Sequence, residues 1–253
     1  MPMISTSGFK TEQIDLTHEA LPAGSPPLVI AHVSDLHLRR WDRQHELLIE
    51  TLNGRAVDFV FLTGDLVTGS PTSIECLERL VKQVRCRFGL FACRGNWDVR
   101  YGPPLRRLRL LIESCGGTLL TNESRTVATH AGRVRIIGLD DLQRGWPDME
   151  AVPDRAAESA SLTILLSHAP MAAVLLPENH GVDFVLSGHT HGGQIRIPLL
   201  WRKLLPNCHG GFSHGLYGIG ALRLYVNRGF GSVGVVPVRF NCPAELALLR
   251  LTP

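Results

Sequence analysis

Five short apolar runs in this chain are each followed within two residues by a glycine, an aspartate or a histidine, and this pattern restricts the fold more than any other feature. The runs are Leu28–Val33, Val57–Thr63, Phe88–Cys93, Leu162–Ser167 and Phe184–Ser187. Just beyond them stand Asp35-Leu36-His37, Gly64-Asp65, Gly95-Asn96-Trp97-Asp98, His168 and Gly188-His189-Thr190-His191. A run without a polar face reads as a strand covered on both sides, as in a parallel sheet between other layers. Amphipathic stretches intervene. Asp42–Arg55 is predicted helical, with Leu47, Leu48, Ile49 and Leu52 as its apolar face. Ser73–Arg85 is predicted helical behind a Ser73 or Thr72 cap, and Pro103–Ser114 as a basic helix. Strands alternating with helices argue for an α/β fold.

The second half is richer in strand signals. Val134–Leu139, Gln194–Ile197, Ala221–Asn227 and Glu245–Leu251 add to the runs already named. Two mixed sheets with helices outside accommodate this order. At 253 residues, 44% apolar and 19% charged, the chain can bury one large core. We divide it into a tail or edge strand, residues 1–24, and a single domain, residues 25–253. A formal charge of +3 is too mild to call for a nucleic-acid polymer as partner. No apolar run approaches the roughly 20 residues of a membrane span, and residues 1–10 lack a signal-peptide core. The expected location is cytoplasmic, peripheral to the inner face of the membrane at most. Six cysteines without a C-x-x-C pair read as small buried hydrophobes.

The chemistry gathers at the strand ends, where α/β proteins place their functional groups. Asp35 and His37, one residue apart, can face the same side of an extended segment. Gly64 lets the backbone approach an ion before Asp65. Asn96 offers a carbonyl oxygen, and His168, His189 and His191 offer ring nitrogens. Mixed nitrogen and oxygen donors suit manganese, iron, zinc, nickel or cobalt better than calcium.

This ordered set resembles the calcineurin-like metallophosphoesterase superfamily, whose motifs read D-x-H, G-D, G-N-H-[DE], a lone His and G-H-x-H. The likeness runs from about Ile30 to Leu251. Gly188–Gln194 and the tail Arg239–Leu246 look like the bacterial membrane-associated branch, with its relatives of the UDP-diacylglucosamine pyrophosphatases. That branch's usual N-terminal anchor is not read here. The resemblance implies a four-layer α/β/β/α sandwich. It also implies two divalent ions, manganese first, with iron, zinc, nickel, cobalt or magnesium as alternatives. One would be held by Asp35, His37 and His191, the other by Asn96, His168 and His189, with Asp65 bridging. Hydrolysis would proceed by metal-bound hydroxide, with Asp65 and Asn96 in the catalytic set and Asp98 orienting a neighbour.

One position departs from the family. Trp97 stands where these proteins usually carry a histidine that serves the leaving group, and an indole cannot act as a general acid at neutral pH. Leaving groups already stable as anions, as in a phosphoanhydride or an aryl phosphate, suffer least from that loss. Arg94, Trp97, His209 and His214 are the candidate substrate contacts, whereas Arg39 and Arg40 read as solvated surface. Residues 195–208, with Trp201, Arg202, Lys203 and several leucines, have the composition of a lipid-facing segment. The expected substrate is therefore a phosphate-containing small molecule or a lipid-linked nucleotide such as UDP-diacylglucosamine, cleaved at a phosphoanhydride or phosphodiester. The alternatives are a soluble phosphodiesterase of cyclic or other small nucleotides, and a catalytically silent member that binds phosphate ligands or a protein.

Overall fold

The structure, a computed structural model, describes residues 4–5, 8–154, 160–198, 201–233 and 238–253. In chain order its strands begin with β1 (Ile4–Ser5), β2 (Phe9–Thr17), β3 (Leu28–Val33), β4 (Phe59–Thr63), β5 (Gly89–Cys93), β6 (Gly117–Leu119) and β7 (Glu123–Thr129). They continue with β8 (Gly132–Gly138), β9 (Leu162–Leu166), β10 (Phe184–Ser187), β11 (Gly215–Ile219), β12 (Leu222–Val226), β13 (Arg239–Phe240) and β14 (Ala244–Thr252). The helices are α1 (Arg43–Asn53), α2 (Ser73–Gln83), α3 (Asn96–Tyr101), α4 (Leu105–Ser114) and α5 (Ala172–Leu175).

Two six-stranded mixed sheets carry the molecule. The first runs β2-β14-β3-β4-β5-β6 and the second β11-β12-β10-β9-β8-β7. Within the first, β3, β4, β5 and β6 are mutually parallel. Within the second, β8, β9, β10 and β12 are. Alternation along each strand divides its residues between two cores. Phe59 and Phe61, with Ile30 and Leu249, pack against Ile164 and Phe184 of the second sheet. Val60 and Leu62 face outward onto Leu48 and Leu52 of α1 and Leu77 and Leu80 of α2. The apolar runs lack a polar face because both faces are buried. The outer face of the second sheet is covered more thinly, by Ala172 and Ala173 of the single-turn α5 and by loop residues such as Val152.

Local chemistry sets the element ends. Asp42 caps α1, its carboxylate accepting from Gln44 N–H at 2.9 Å, and the helix buries His45, Leu48, Ile49 and Leu52. Leu47, expected on that face, is half-buried. Thr72 occupies the cap position of α2 without capping it, because its hydroxyl donates to the Arg39 carbonyl instead. The helix expected from Pro103 begins at Leu105, since a residue before proline resists helical ψ and Pro104 is extended. Gln194–Ile197 is not a strand. Gly192, Gly193 and Gln194 all take positive φ, and the turn they make leaves only an isolated bridge from Ile195 to Phe240. The tail contributes β2, which pairs parallel to β14 along its full length at the sheet edge.

His32 lies wholly inside the sandwich, its Nε2 2.8 Å from the Thr63 hydroxyl, and burial pushes its pKa down to about 3. The unfolded chain takes up this proton near pH 6.5 and the folded one only near pH 3, so stability falls as pH drops through that window. Replacing His32 with Gln should make the acid-side slope of unfolding free energy shallower by about 1.4 kcal/mol per pH unit, measured by urea unfolding between pH 6 and pH 4. Equal slopes in the two proteins would show that His32 is not held neutral.

Candidate metal centre

Each sequence motif lies two or three residues beyond a parallel strand, and the two sheets bring these ends together. Past β3 and β4 the chains stay paired, with Asp35 N–H donating to the Gly64 carbonyl at 3.0 Å and His37 N–H to the Asp65 carbonyl at 2.8 Å. Asp35, His37, Asp65, His189 and His191 all adopt positive φ, between 43° and 70°. Non-glycine residues seldom take this conformation, and it turns side chains that would alternate along a strand toward one point. Glycines permit the close approach. A Cβ on Gly95 would collide with the Asp65 carboxylate, and one on Gly188 with Asp35 and Ser34.

Two groups of ligand atoms result. Asp35, His37 and His191 form one, and Asp35, Asp65 and His168 the other, with each set of atoms within 4.8 Å. The Nε2 atoms of His37 and His191 are 3.1 Å apart. Asp65 Oδ2 stands 3.5 Å from His37 Nε2 and 3.4 Å from His168 Nε2, midway between the groups. Asp35 Oδ1 is 3.3 Å from His191 Nε2 and 4.0 Å from His168 Nε2.

Backbone carbonyls fix the tautomers on the second side. His168 Nδ1–H donates to Thr63 O at 2.8 Å, and His189 Nε2–H to Asn207 O at 2.6 Å. His168 Nε2 and His189 Nδ1 then face each other at 3.1 Å, each also 3.1 Å from Asn96 Oδ1. Three electron-donating atoms converge with no proton from the neutral side chains between them. Such a triangle needs a proton or a cation between its atoms, and a divalent metal ion fits that donor set.

Electrostatics agree. Burial pushes His37 and His189 down to about 4 and His191 well below its ordinary value, so all three stay neutral and able to ligate. Burial alone would raise Asp65 and lower His168, but their mutual attraction reverses both. Asp65 falls to about 2 and His168 rises well above its usual range. A metal at this position takes the place of the His168 proton.

The remaining expected residues separate clearly. Trp97 lies beside the centre, its ring edge-on to His37 at 4.9 Å and its backbone N–H donating to Asp65 Oδ1 at 2.7 Å. Asp98 points away from the centre. It accepts from the N–H groups of Leu66 at 2.8 Å, Val67 at 3.0 Å and Gly95 at 2.9 Å, and so ties two of the motifs together. Burial, then Asp65, push its carboxyl up to about 7 against those amides. Asp140 holds Arg94 in a buried pair at 2.6 Å. His214 is pinned by Arg196 at 2.6 Å, and His209 accepts from Gly211 N–H.

A cavity of about 310 Å³ opens on the centre. Asp65, Asn96, His189 and His191 meet it alongside Trp97, Ile195, Pro206, Val233 and the amides of Gln143 and Gln194. Arg94, His209 and His214 are not among its described lining residues. Sequence reasoning missed Gln143, which follows no strand-end motif, and Asn207, whose contribution is a backbone carbonyl that any residue could supply.

Residues 28–193 match the calcineurin-like phosphoesterase family. The chain belongs to it. An uncharacterized metallophosphoesterase of Bacillus subtilis, YkuE, is 31% identical over 249 residues, 96% of this chain and 85% of its own length. An uncharacterized metallophosphoesterase of Helicobacter pylori is 33% identical over 214 residues, 82% of this chain, and the match spans only 55% of that longer protein. Phosphodiesterase YaeI of Escherichia coli is 32% identical over 162 residues, 64% of this chain and 57% of its own. Among solved structures, the NAD nucleotidase of Haemophilus influenzae matches with a TM-score of 0.54 at 13% identity, covering 80% of this chain and 50% of that one, a likeness of fold alone. As a calcineurin-like phosphoesterase the chain is a hydrolase of a family that uses divalent metals. No described helix is long and apolar enough to cross a membrane.

Truncating Asp98 to Ala leaves three buried N–H groups without an acceptor, each costing about 1–3 kcal/mol. The variant should lose roughly 3–9 kcal/mol in urea unfolding. A loss below about 1 kcal/mol would show that Asp98 does not tie the motifs.

Proposed function

We propose that this chain hydrolyses a phosphodiester or phosphoanhydride with two divalent ions, one held by Asp35, His37 and His191, the other by Asn96, His168 and His189. Asp65 bridges them from its place midway between His37 and His168. The observation that carries this reading is the convergence of His168 Nε2, His189 Nδ1 and Asn96 Oδ1 at 3.1 Å, with tautomers fixed from outside. Bound divalent ions would activate water and neutralise phosphoryl charge. The protein's part is placement: Trp97 N–H and the left-handed backbone hold Asp65, and Gln143, whose side chain makes no hydrogen bond among the described residues, can meet the substrate.

No described side chain replaces the missing acid. The titratable groups that line the cavity are the proposed ligands themselves, and His214 is held at about 4 by burial beside Arg196. The leaving group must therefore depart as a stable anion, which favours anhydrides and aryl-type diesters over esters of simple alcohols. The finer reading is a lipid-linked nucleotide such as UDP-diacylglucosamine. It draws support from the apolar cavity wall of Trp97, Ile195, Pro206 and Val233. The segment after it contributes less: Trp201 packs on Gly193 under Arg196, and residues 199–200 of the expected leucine patch lie outside the described residues. A diester of a small nucleotide remains the second reading, favoured by the likeness to phosphodiesterase YaeI.

With manganese, bis(4-nitrophenyl) phosphate should turn over, and Asp65→Ala should lower kcat/KM by about 10³-fold or more, together with bound metal by elemental analysis. Retained turnover in that variant would remove the dinuclear reading. Trp97→His should raise kcat/KM on an alkyl diester by roughly 10²-fold while changing an anhydride only a few-fold, since an acid serves poor leaving groups. Equal gains on both would refute the account of the leaving group.

A further inference from the structure

A second cavity, of about 220 Å³, reaches the metal centre at His37, and its chemistry is that of an anion site. His37 and Arg239 belong to its wall. Arg39 and Arg40 rise at its rim, both exposed, and neither pairs with a described carboxylate. Arg239 is 3% exposed and bonds only to neutral groups, donating to the carbonyls of Arg228 and Gly231 and approaching His191 Nδ1 at 3.4 Å. Its charge meets Asp35 and Glu245 only at a distance, and no carboxylate among the described lining residues pairs with it.

The one carboxylate among the described lining residues, Asp42, is already engaged. It accepts from Gln44 N–H at 2.9 Å and stands 2.8 Å from the His45 ring. Among the described lining residues three arginines thus stand against one carboxylate, at the positive end of the eleven-residue helix α1. Gln44 and Ser232 add neutral hydrogen-bonding groups.

We propose that this cavity binds a phosphate group, as inorganic phosphate or as a second phosphate carried by the substrate. Arginine forks match phosphate oxygens in pairs, and the site needs no metal of its own. Arg39 and Arg40 are then rim contacts of a second site, and Arg239 lies between that site and His191.

Titration of inorganic phosphate into the manganese-loaded full chain tests the proposal by calorimetry. The parent should bind two equivalents, of which chelation removes one. The R39A/R40A double variant and Gln44→Glu should each lose the chelation-resistant equivalent, with affinity there falling at least tenfold. Gln44→Glu places an acid in the first turn of α1, where it favours the helix, so an undiminished melting temperature separates lost binding from lost folding. A metal centre that fails to load would leave the parent with one equivalent, still sensitive to Gln44→Glu, so this site is judged apart from the dinuclear reading. The source is read from two diesters, one bearing a further phosphate and one without. A tenfold rise in the ratio of their KM values in Gln44→Glu assigns the phosphate to the substrate, and an unchanged ratio with lost phosphate binding assigns it to the free ion. The same number of bound phosphates in parent and both variants would overturn the proposal.

Discussion

The structure depends on one constraint: two strand ends that remain hydrogen-bonded after they stop being strands. Beyond β3 and β4 the chains hold each other through Asp35 N–H, His37 N–H and Leu38 N–H, which donate to the carbonyls of Gly64, Asp65 and Leu66. Within that pairing Asp35, His37 and Asp65 sit in the left-handed region. An ordinary ladder would send successive side chains to opposite faces. Here the twist aims them at one place, and the surrounding pairing holds residues that would otherwise cost about 1–3 kcal/mol each in that conformation. His189 and His191 repeat the device from the second sheet. The sandwich exists in this form so that two sets of parallel strands deliver their ends to one edge.

Electrostatics follow from that geometry. Two carboxylates and four imidazoles are packed together almost wholly buried, a placement that costs free energy unless charge is matched. The protein manages the rest of the neighbourhood with separate partners. Asp98 is absorbed by three amides, Arg94 by Asp140, and Glu245 by Arg228 and the Tyr225 hydroxyl. The ligand cluster is thereby kept from adventitious pairs. A cation entering it displaces the His168 proton and meets ring nitrogens of His168 and His189 already aimed by the Thr63 and Asn207 carbonyls.

How much of this was legible in the sequence depends on where each signal resides. The five strand-end motifs were readable because side-chain identity and spacing carry them, and the apolar runs before them are strands buried on both faces. Helix α3 was missed although its start was written: Gly95 N–H is met by the Asp98 carboxylate three residues on, a capping pattern that the metal motif hid. Strands β7 and β11 were missed because their residues are largely polar or glycine and only their partners β8 and β12 are apolar. Gln194–Ile197 failed as a strand because three successive positive-φ residues precede it, and backbone conformation is not written in hydropathy. Arg94 and Arg39 show the same limit for charge. Both stand near a motif, yet Asp140, distant in sequence, claims the first and no described carboxylate claims the second.

Trp97 bears on both mechanism and shape. Its backbone N–H secures Asp65, a duty any residue there could perform, so the side chain was free to change without disturbing the ligand. The indole stands edge-on to His37 and tilted against Tyr101, both at 4.9 Å, and forms part of the cavity wall. A ring in that place narrows and dries the approach to the centre. A drier site strengthens every charge interaction within it. Exchanging an acid for an apolar wall thus trades proton delivery for electrostatic strength, a trade that suits substrates whose leaving group needs no proton but whose phosphoryl charge must be neutralised.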